Sequence, residues 1–158
     1  MQFIDFTKVS NKNDIQAEIT RLVTEEKIPS EALGTVDAKV ILDFFQSSLG
    51  QTLRTAEHVQ REFKFSILAD GRELGFADAD ETILLQGVVD AFWEIDGKIT
   101  VLDFKTDYVP KGKLQEKATL YKGQMETYAY ALEKILGKPV STVLLYFFSA
   151  GKSVEWKF

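Results

Sequence analysis

The sequence predicts a mixed α/β domain with a central sheet of about five strands flanked by helices. Two apolar, β-branched runs around Asp96-Gly97 predict a hairpin, and helical periodicity over residues 113–136 predicts a long helix. The continuous apolar run 140–148 is typical of a strand covered on both faces, joined to the hairpin through that helix. The length of 158 residues and the 45% hydrophobic content fit one globular domain.

The N-terminal part predicts helices that pack on this sheet. Apolar residues recur at helical spacing over 14–27, with Asn13 as the predicted N-cap, and again over 36–48. We therefore expect a helical part over about residues 1–50 and a sheet core over about 59–158.

The hairpin itself spans Gln86 to Asp107. A tight turn at Asp96-Gly97 suits type I′ geometry and places Asp90 directly opposite Asp103. One face of the hairpin would then carry Val88, Asp90, Phe92, Val101, Asp103 and Lys105. The other, the core face, would carry Val89, Ala91, Trp93, Ile95, Leu102 and Phe104.

Two directly opposed carboxylates destabilise a sheet unless a cation lies between them. Mg²⁺ is commonly held by one or two carboxylates together with water. Lys105 adds an amine beside Asp103 that could orient a water or stabilise charge on a phosphate. An ordinary solvated ion pair would explain Asp103 and Lys105 alone, but the opposed Asp90 in an apolar strand favours a metal site.

Further polar candidates lie on the flanking elements. Glu62, on a predicted half-buried strand over 61–68, is either an additional metal ligand or an exposed strand carboxylate. Gln124 and Tyr128 lie one turn apart on the same side of the long helix. Residues Val154, Trp156 and Phe158 alternate as in a final edge strand.

One basic stretch occurs in a chain of net charge −5. Its residues Lys111, Lys113, Lys117 and Lys122 could follow a phosphate backbone. A solvated helix face explains Lys113 and Lys117 equally well. Asp78-Ala79-Asp80 lacks the ligand spacing of an EF-hand loop and predicts a solvated turn.

Composition excludes several functions. The chain has no cysteine, which excludes disulfides and iron–sulfur ligation, and it has no Gly-rich ATP-binding loop. No apolar run is long enough to span a membrane and no secretory signal is visible, so we expect an intracellular, cytoplasmic protein.

The combination of Gly87-Val88-Val89-Asp90, Asp103-Phe104-Lys105-Thr106 and Gln124-x-x-x-Tyr128 resembles the PD-(D/E)XK nuclease superfamily, RecB-type branch. The amino-acid sequence over about 59–148 is most similar to the nuclease domains of helicase–nuclease proteins of the AddA/RexA type. Each motif is weak alone, but the set is specific.

The resemblance implies a restriction-endonuclease-like core and Mg²⁺-dependent, exonucleolytic DNA hydrolysis in double-strand break repair, with Mn²⁺ as a substitute. It implies metal ligation by Asp90, Asp103 and the Phe104 carbonyl, and active-site roles for Lys105, Gln124 and Tyr128. The implied partners are DNA, helicase domains of the same parent chain and a second protein of the AddB/RexB type.

One family feature is missing from the sequence. RecB-type nucleases usually carry a histidine on an N-terminal helix, whereas His58, the sole histidine, directly precedes the first strand and is interpreted as a surface residue. Because Met1-Gln2-Phe3-Ile4 resembles the piece that follows the family histidine, we expect a fragment of a longer protein with weak or no activity by itself. A DNA-binding or scaffold module with a decayed site is the alternative; a metal-binding domain unrelated to nucleic acid is a third.

Overall fold

The computed structural model describes residues 1–74 and 81–158, so the acidic segment Asp78–Asp80 lies outside the described residues. The helices are α1 (Lys12–Thr24), α2 (Ala32–Thr35), α3 (Ala38–Gln46), α4 (Ser48–Thr55), α5 (Leu114–Thr119) and α6 (Lys122–Leu136). The strands are β1 (Gln60–Asp70), β2 (Thr82–Ile95), β3 (Lys98–Lys105), β4 (Val140–Phe147) and β5 (Lys152–Lys157).

The strands form one five-stranded mixed sheet in the order β1-β2-β3-β4-β5. Only β3 and β4 run parallel among the strands described; the other neighbours are antiparallel. A parallel pair requires a crossover connection, which α5 and α6 provide. The predicted fold class, the number of strands and the burial of β4 on both faces are confirmed.

Each face of the sheet carries its own hydrophobic core. On one side Phe92 and Val101 pack with Met125 and Leu132 of α6. On the other side Ala91, Trp93 and Leu102 pack with the N-terminal helices, for example with Phe44 of α3. The sheet is thus a central layer between α5–α6 and α1–α4.

The hairpin turn has the predicted geometry. Asp96 and Gly97 both have positive φ, at 50° and 74°, as a type I′ turn requires. The predicted register is confirmed from Ile95–Lys98 to Ala91–Leu102. Ile95, however, is 52% exposed, so its assignment to the core face was wrong: it lies at the turn, beyond the helices that cover the sheet.

The register is interrupted at Asp90. The β2–β3 Cα pairs end at Ala91–Leu102, so the predicted direct pairing of Asp90 with Asp103 is not formed. On the other edge of β2, the pairs with β1 omit Asp90 and Glu62, and Glu62 has a left-handed φ of 53°. Such a break shifts the side-chain alternation. As a consequence Val89 packs on the α6 side, opposite to the predicted face.

Three helix predictions needed correction. The N-cap of α1 is Asn11, which forms a capping box with Asp14, so the assignment to Asn13 was wrong. The helix predicted over about 36–48 is α3, which ends at Gln46, and Ser47 caps the further helix α4, which was not predicted. The predicted helix over 113–136 is divided at Leu120 and Tyr121 into α5 and α6.

Candidate active site

The centre of the candidate site is the end of β3, where Asp103 and Lys105 point to the α6 side. Asp103 is only 3% exposed. Its Oδ2 lies 2.8 Å from Lys105 Nζ in an ion pair, but accepts no hydrogen bond of regular geometry from the described residues. A buried carboxylate oxygen that is incompletely satisfied is costly unless a positive group compensates it.

Lys105 connects β3 to α6. Its Nζ donates to Gln124 Oε1 at 2.8 Å, and Gln124 Nε2 donates to Tyr128 Oη at 2.7 Å. Gln124 and Tyr128 lie four residues apart on α6 and therefore share one helix face. The structure thus joins four of the predicted site residues in one chain of contacts: Asp103, Lys105, Gln124 and Tyr128.

The position of Tyr128 depends on a close approach between β2 and α6. Its ring packs edge-to-face on Phe65 of β1, at a centroid distance of 5.9 Å. A Cβ at Gly87 would lie 2.8 Å from the Phe65 ring and 3.2 Å from Tyr128 Cε1. Gly87 is therefore required at this point because no side chain fits there.

Asp90 approaches the site from β2. Its Oδ2 accepts a hydrogen bond from the backbone N–H of Phe104 at 2.8 Å. This side-chain contact replaces a backbone hydrogen bond between β2 and β3 at the point where their regular pairing ends. The N–H and C=O of a strand residue point to the same neighbour, so the Phe104 carbonyl is directed to the Asp90 side as well. Asp90, Phe104 and Asp103 therefore meet at one end of β3.

Glu62 and Asp90 line a common cavity of about 210 Å³ on the N-terminal side of the sheet, together with Phe104. Glu62 is half-buried because the irregular φ at this position turns β1 locally out of its ladder. This placement leaves Glu62 within the group of carboxylates around β2, as a second-rank candidate for metal binding.

Electrostatics distinguish Asp103 from an ordinary carboxyl. Burial is the main cause that raises the pKa of Asp103 from 3.8 to about 6, and the charge of Asp90 adds to the rise, while Lys105 opposes it. The pKa of Tyr128 is also raised, chiefly by burial. The negative charge of Asp103 therefore lies in a buried environment, and the positive charge of Lys105 does not fully offset it.

Asp90 and Asp103 are residues of a type that could hold a divalent cation. Among the described residues Asp103 Oδ2 has no regular hydrogen bond, and Asp90 adds a second carboxylate, whose Oδ2 accepts from the Phe104 N–H. Hard oxygen ligands of this kind are what Mg²⁺ prefers, with water completing its shell. Within residues 1–74 and 81–158, no group of three or more histidine, cysteine, aspartate or glutamate side chains is arranged to hold a metal.

The four lysines of the basic stretch follow β3 along the chain, and three of them are paired. Lys113 contacts Glu116 at 2.6 Å, Lys117 contacts Asp107 at 3.0 Å and Lys122 contacts Glu126 at 3.2 Å. Lys111 is exposed. Exposed pairs of this kind are weak and exchangeable, so they do not prevent contact with phosphate.

Two site features were not predicted from sequence. Tyr121 lies under Lys105, with Nζ 4.2 Å from its ring centroid, although helical periodicity marks it only as an apolar helix position. Its spacing of three residues before Gln124 could have indicated the shared face. The requirement for glycine at residue 87 is the second unpredicted feature.

His58 is exposed and lines a separate cavity with Phe63 and Leu136.

Comparisons with known proteins identify the family of the chain. Residues 5–157 match the PD-(D/E)XK nuclease superfamily, and the chain belongs to that family. Among its relatives are proteins named as the A subunits of ATP-dependent helicase/nucleases. Those of Thermoanaerobacter sp. (strain X514) and Clostridium novyi are 35% and 34% identical over 99% of this chain, and that of Bacillus cytotoxicus is 37% identical over 94%. The chain spans 13% of the length of each of these relatives.

A solved structure, the crystal structure of SSO0001, overlaps 95% of this chain and 69% of its own, at 16% identity and a TM-score of 0.43. No helix among the described residues is long and apolar enough to cross a bilayer.

Proposed function

We propose that this chain is a metal-dependent deoxyribonuclease domain that hydrolyses phosphodiester bonds. The observation that carries the proposal is the buried Asp103 Oδ2, which lies 2.8 Å from Lys105 Nζ without a regular hydrogen bond. A carboxylate and an amine held together in a desolvated pocket are suited to a cation and to an anionic phosphate, respectively.

In this proposal Asp90, Asp103 and the Phe104 carbonyl hold Mg²⁺, Mn²⁺ substitutes for it, and Glu62 is an additional candidate ligand. When bound, the ion supplies Lewis-acid polarisation of the scissile phosphate and lowers the pKa of a bound water.

Lys105 then directs its ammonium at that water or at the charge that develops on the phosphate. Gln124 fixes Lys105, and Tyr128 fixes Gln124 through the hydrogen bond between their side chains. Lys111, Lys113, Lys117 and Lys122 are the proposed contacts to the DNA backbone.

The relatives extend the proposal to the parent protein. Their name, which describes the A subunit of an ATP-dependent helicase/nuclease, supports a nuclease domain attached to helicase domains and paired with a second protein. We propose exonucleolytic trimming of DNA that the helicase has made single-stranded, in double-strand break repair and recombination. Bacterial proteins of this kind act in the cytoplasm, and we propose the same location here.

Lys105→Ala tests the assignment. We expect cleavage of a single-stranded oligonucleotide in Mg²⁺ to fall about 100-fold or more, because transition-state stabilisation of this type contributes that much. DNA binding should change little, whereas thermal stability should fall, because the buried Asp103 carboxylate loses the positive group that compensates it. The matched control is Lys138→Ala, since Lys138 forms only an exposed pair with Glu94 at 2.6 Å.

Normal cleavage by Lys105→Ala would refute the catalytic role of Lys105. If the helicase–nuclease protein proposed to contain this domain binds DNA and Mn²⁺ but does not cleave DNA, the result would instead support the scaffold module as the function of this domain.

A further inference from the structure

We propose that Tyr121 is a positioning residue for Lys105, whose ammonium it holds against the face of its ring. The inference rests on the proposed catalytic role of Lys105. It adds a residue outside the Asp, Asp-x-Lys and Gln-x-x-x-Tyr motifs, and it assigns a function to the break between α5 and α6.

The ammonium of Lys105 contacts three different groups in the structure. Asp103 Oδ2 lies at 2.8 Å and Gln124 Oε1 at 2.8 Å. The ring centroid of Tyr121 lies at 4.2 Å, within the range of a cation–π contact. Of the three, Asp103 is also the proposed cation ligand, so Gln124 and Tyr121 are the groups dedicated to holding Lys105.

The ring of Tyr121 is itself fixed from the outside. Its hydroxyl interacts with the carboxylate of Asp107, which lowers the pKa of Asp107 and raises the pKa of Tyr121. Asp107 also pairs with Lys117 at 3.0 Å, and Lys117 Nζ lies 5.8 Å from the same ring. On its inner side the ring packs on Phe147 at 6.1 Å. These contacts hold the Tyr121 ring in place against Lys105.

The local sequence does not require tyrosine at this point of the helix. Tyr121 is the N-cap of α6 and makes no capping hydrogen bond with its side chain. Serine, threonine, aspartate or asparagine would stabilise the helix start better. The neighbouring Leu120 is 75% exposed, so the break gains little from apolar burial there. A tyrosine at an N-cap position, where it does not stabilise the helix, is expected when a functional role determines which residue occurs there.

A purely structural role predicts a different response to substitution. If Tyr121 only fills space against Phe147, leucine should serve nearly as well as phenylalanine. If it positions Lys105, phenylalanine keeps the ring face and leucine removes it. The pair Tyr121→Phe and Tyr121→Leu therefore separates the two roles.

The same helix supplies a matched control. Tyr130 carries Lys134 Nζ over its ring at 5.3 Å, and both side chains contact Glu73, at 2.5 Å and 2.8 Å. This arrangement repeats the Tyr121–Lys117–Asp107 chemistry away from the candidate site. Tyr130→Leu thus removes the same kind of contact from α6 without touching Lys105.

The first measurement is an NMR spectrum of the 158-residue chain with ¹³C-labelled lysine, with Lys105 assigned by Lys105→Arg. An aromatic ring shields protons above its face, so the Lys105 ε-methylene should resonate upfield of the other lysines. We expect this shift to persist in Tyr121→Phe and Tyr130→Leu and to disappear in Tyr121→Leu. An unshifted Lys105 signal, or a shift that survives in Tyr121→Leu, would overturn the proposal.

The second measurement is kinetic. We expect Tyr121→Leu to lower kcat about tenfold with little change in KM, as expected for loss of a cation–π contact of ordinary strength. Tyr121→Phe and Tyr130→Leu should keep kcat near that of the unaltered chain. If the helicase–nuclease protein proposed to contain this domain does not cleave DNA, the proposed function fails, while the NMR result still decides whether Tyr121 positions Lys105.

Discussion

Asp90 on β2 and Phe104 on β3 are joined by a hydrogen bond between a side chain and the backbone, with the Phe104 N–H donating to Asp90 Oδ2 at 2.8 Å. This contact forms where the regular pairing of the two strands ends. It gives Asp90 a structural role beside its proposed role as a metal ligand, and the two roles can be separated by substitution.

Asp90→Asn should weaken Mn²⁺ binding while it keeps an acceptor for Phe104, and metal-free thermal stability should stay equal or rise because carboxylate repulsion is removed. Calorimetric titration and thermal unfolding measure the two effects. Asp90→Ala, the companion variant, leaves the Phe104 N–H without its acceptor and should lower the free energy of unfolding by about 1–3 kcal/mol. Equal Mn²⁺ affinity in Asp90→Asn and the unaltered chain would exclude Asp90 as a ligand.

Asp103→Asn should stabilise the metal-free protein. Because the pKa of Asp103 is raised from 3.8 to about 6, the folded state holds the proton more tightly than the unfolded chain. Ionisation therefore costs stability as the pH rises through 6. The gain in Asp103→Asn, about 1–3 kcal/mol, should be full above pH 6 and vanish as the pH falls toward 3.8.

Denaturant unfolding in EDTA at about pH 4 and about pH 8, on either side of the raised pKa, checks the Asp103 prediction. A stabilisation that is equal at both pH values would show that the carboxylate is not destabilised by its burial.

Gly87→Ala should destabilise the protein by about 1–3 kcal/mol, since the added Cβ would overpack the Phe65 and Tyr128 rings. Displacement of Tyr128 should also reduce activity through Gln124. Gly123→Ala is the control: Gly123 lies within α6, and beyond the adjoining backbone of that helix no atom of residues 1–74 or 81–158 comes within 4 Å of the added Cβ, so the variant should stabilise by up to about 1 kcal/mol. Thermal unfolding of both variants is the measurement, and similar effects in both would contradict the close approach.

Lys111→Gln should weaken binding of single-stranded DNA more than Lys113→Gln. Lys113 already pairs with Glu116 at 2.6 Å, so its charge is partly offset, whereas Lys111 is exposed in the segment between β3 and α5. Fluorescence anisotropy at several salt concentrations should show a shallower salt dependence for Lys111→Gln. Identical DNA affinities and salt dependences for the unaltered chain and both variants would show that Lys111 and Lys113 do not contact DNA.

Sequence patterns were sufficient where local chemistry decides the structure. Asp96-Gly97 fixed the turn and the register as far as Ala91–Leu102, and the apolar run of β4 required a strand covered on both faces. The spacing of Gln124 and Tyr128 on one helix face followed from helix geometry.

Tertiary contacts decided the rest. The pairing of β2 with β3 ends at Asp90 because the Asp90 side chain accepts the hydrogen bond of the Phe104 N–H. The alternation of apolar and polar residues does not predict such a contact. The division of the helix at Tyr121 places a ring under Lys105, and helical periodicity alone favoured a continuous helix. The exposure of Ile95 depends on where the covering helices end.

The central claim is that Asp90 and Asp103 form a cation site beside Lys105. Crystals soaked in Mn²⁺ and measured by anomalous scattering test it most directly. We predict an anomalous peak between the Asp90 and Asp103 carboxylates, next to the Phe104 carbonyl, and its loss in Asp103→Asn crystals. A well-soaked crystal with no peak there, or with manganese bound only at other acidic residues, would contradict the claim.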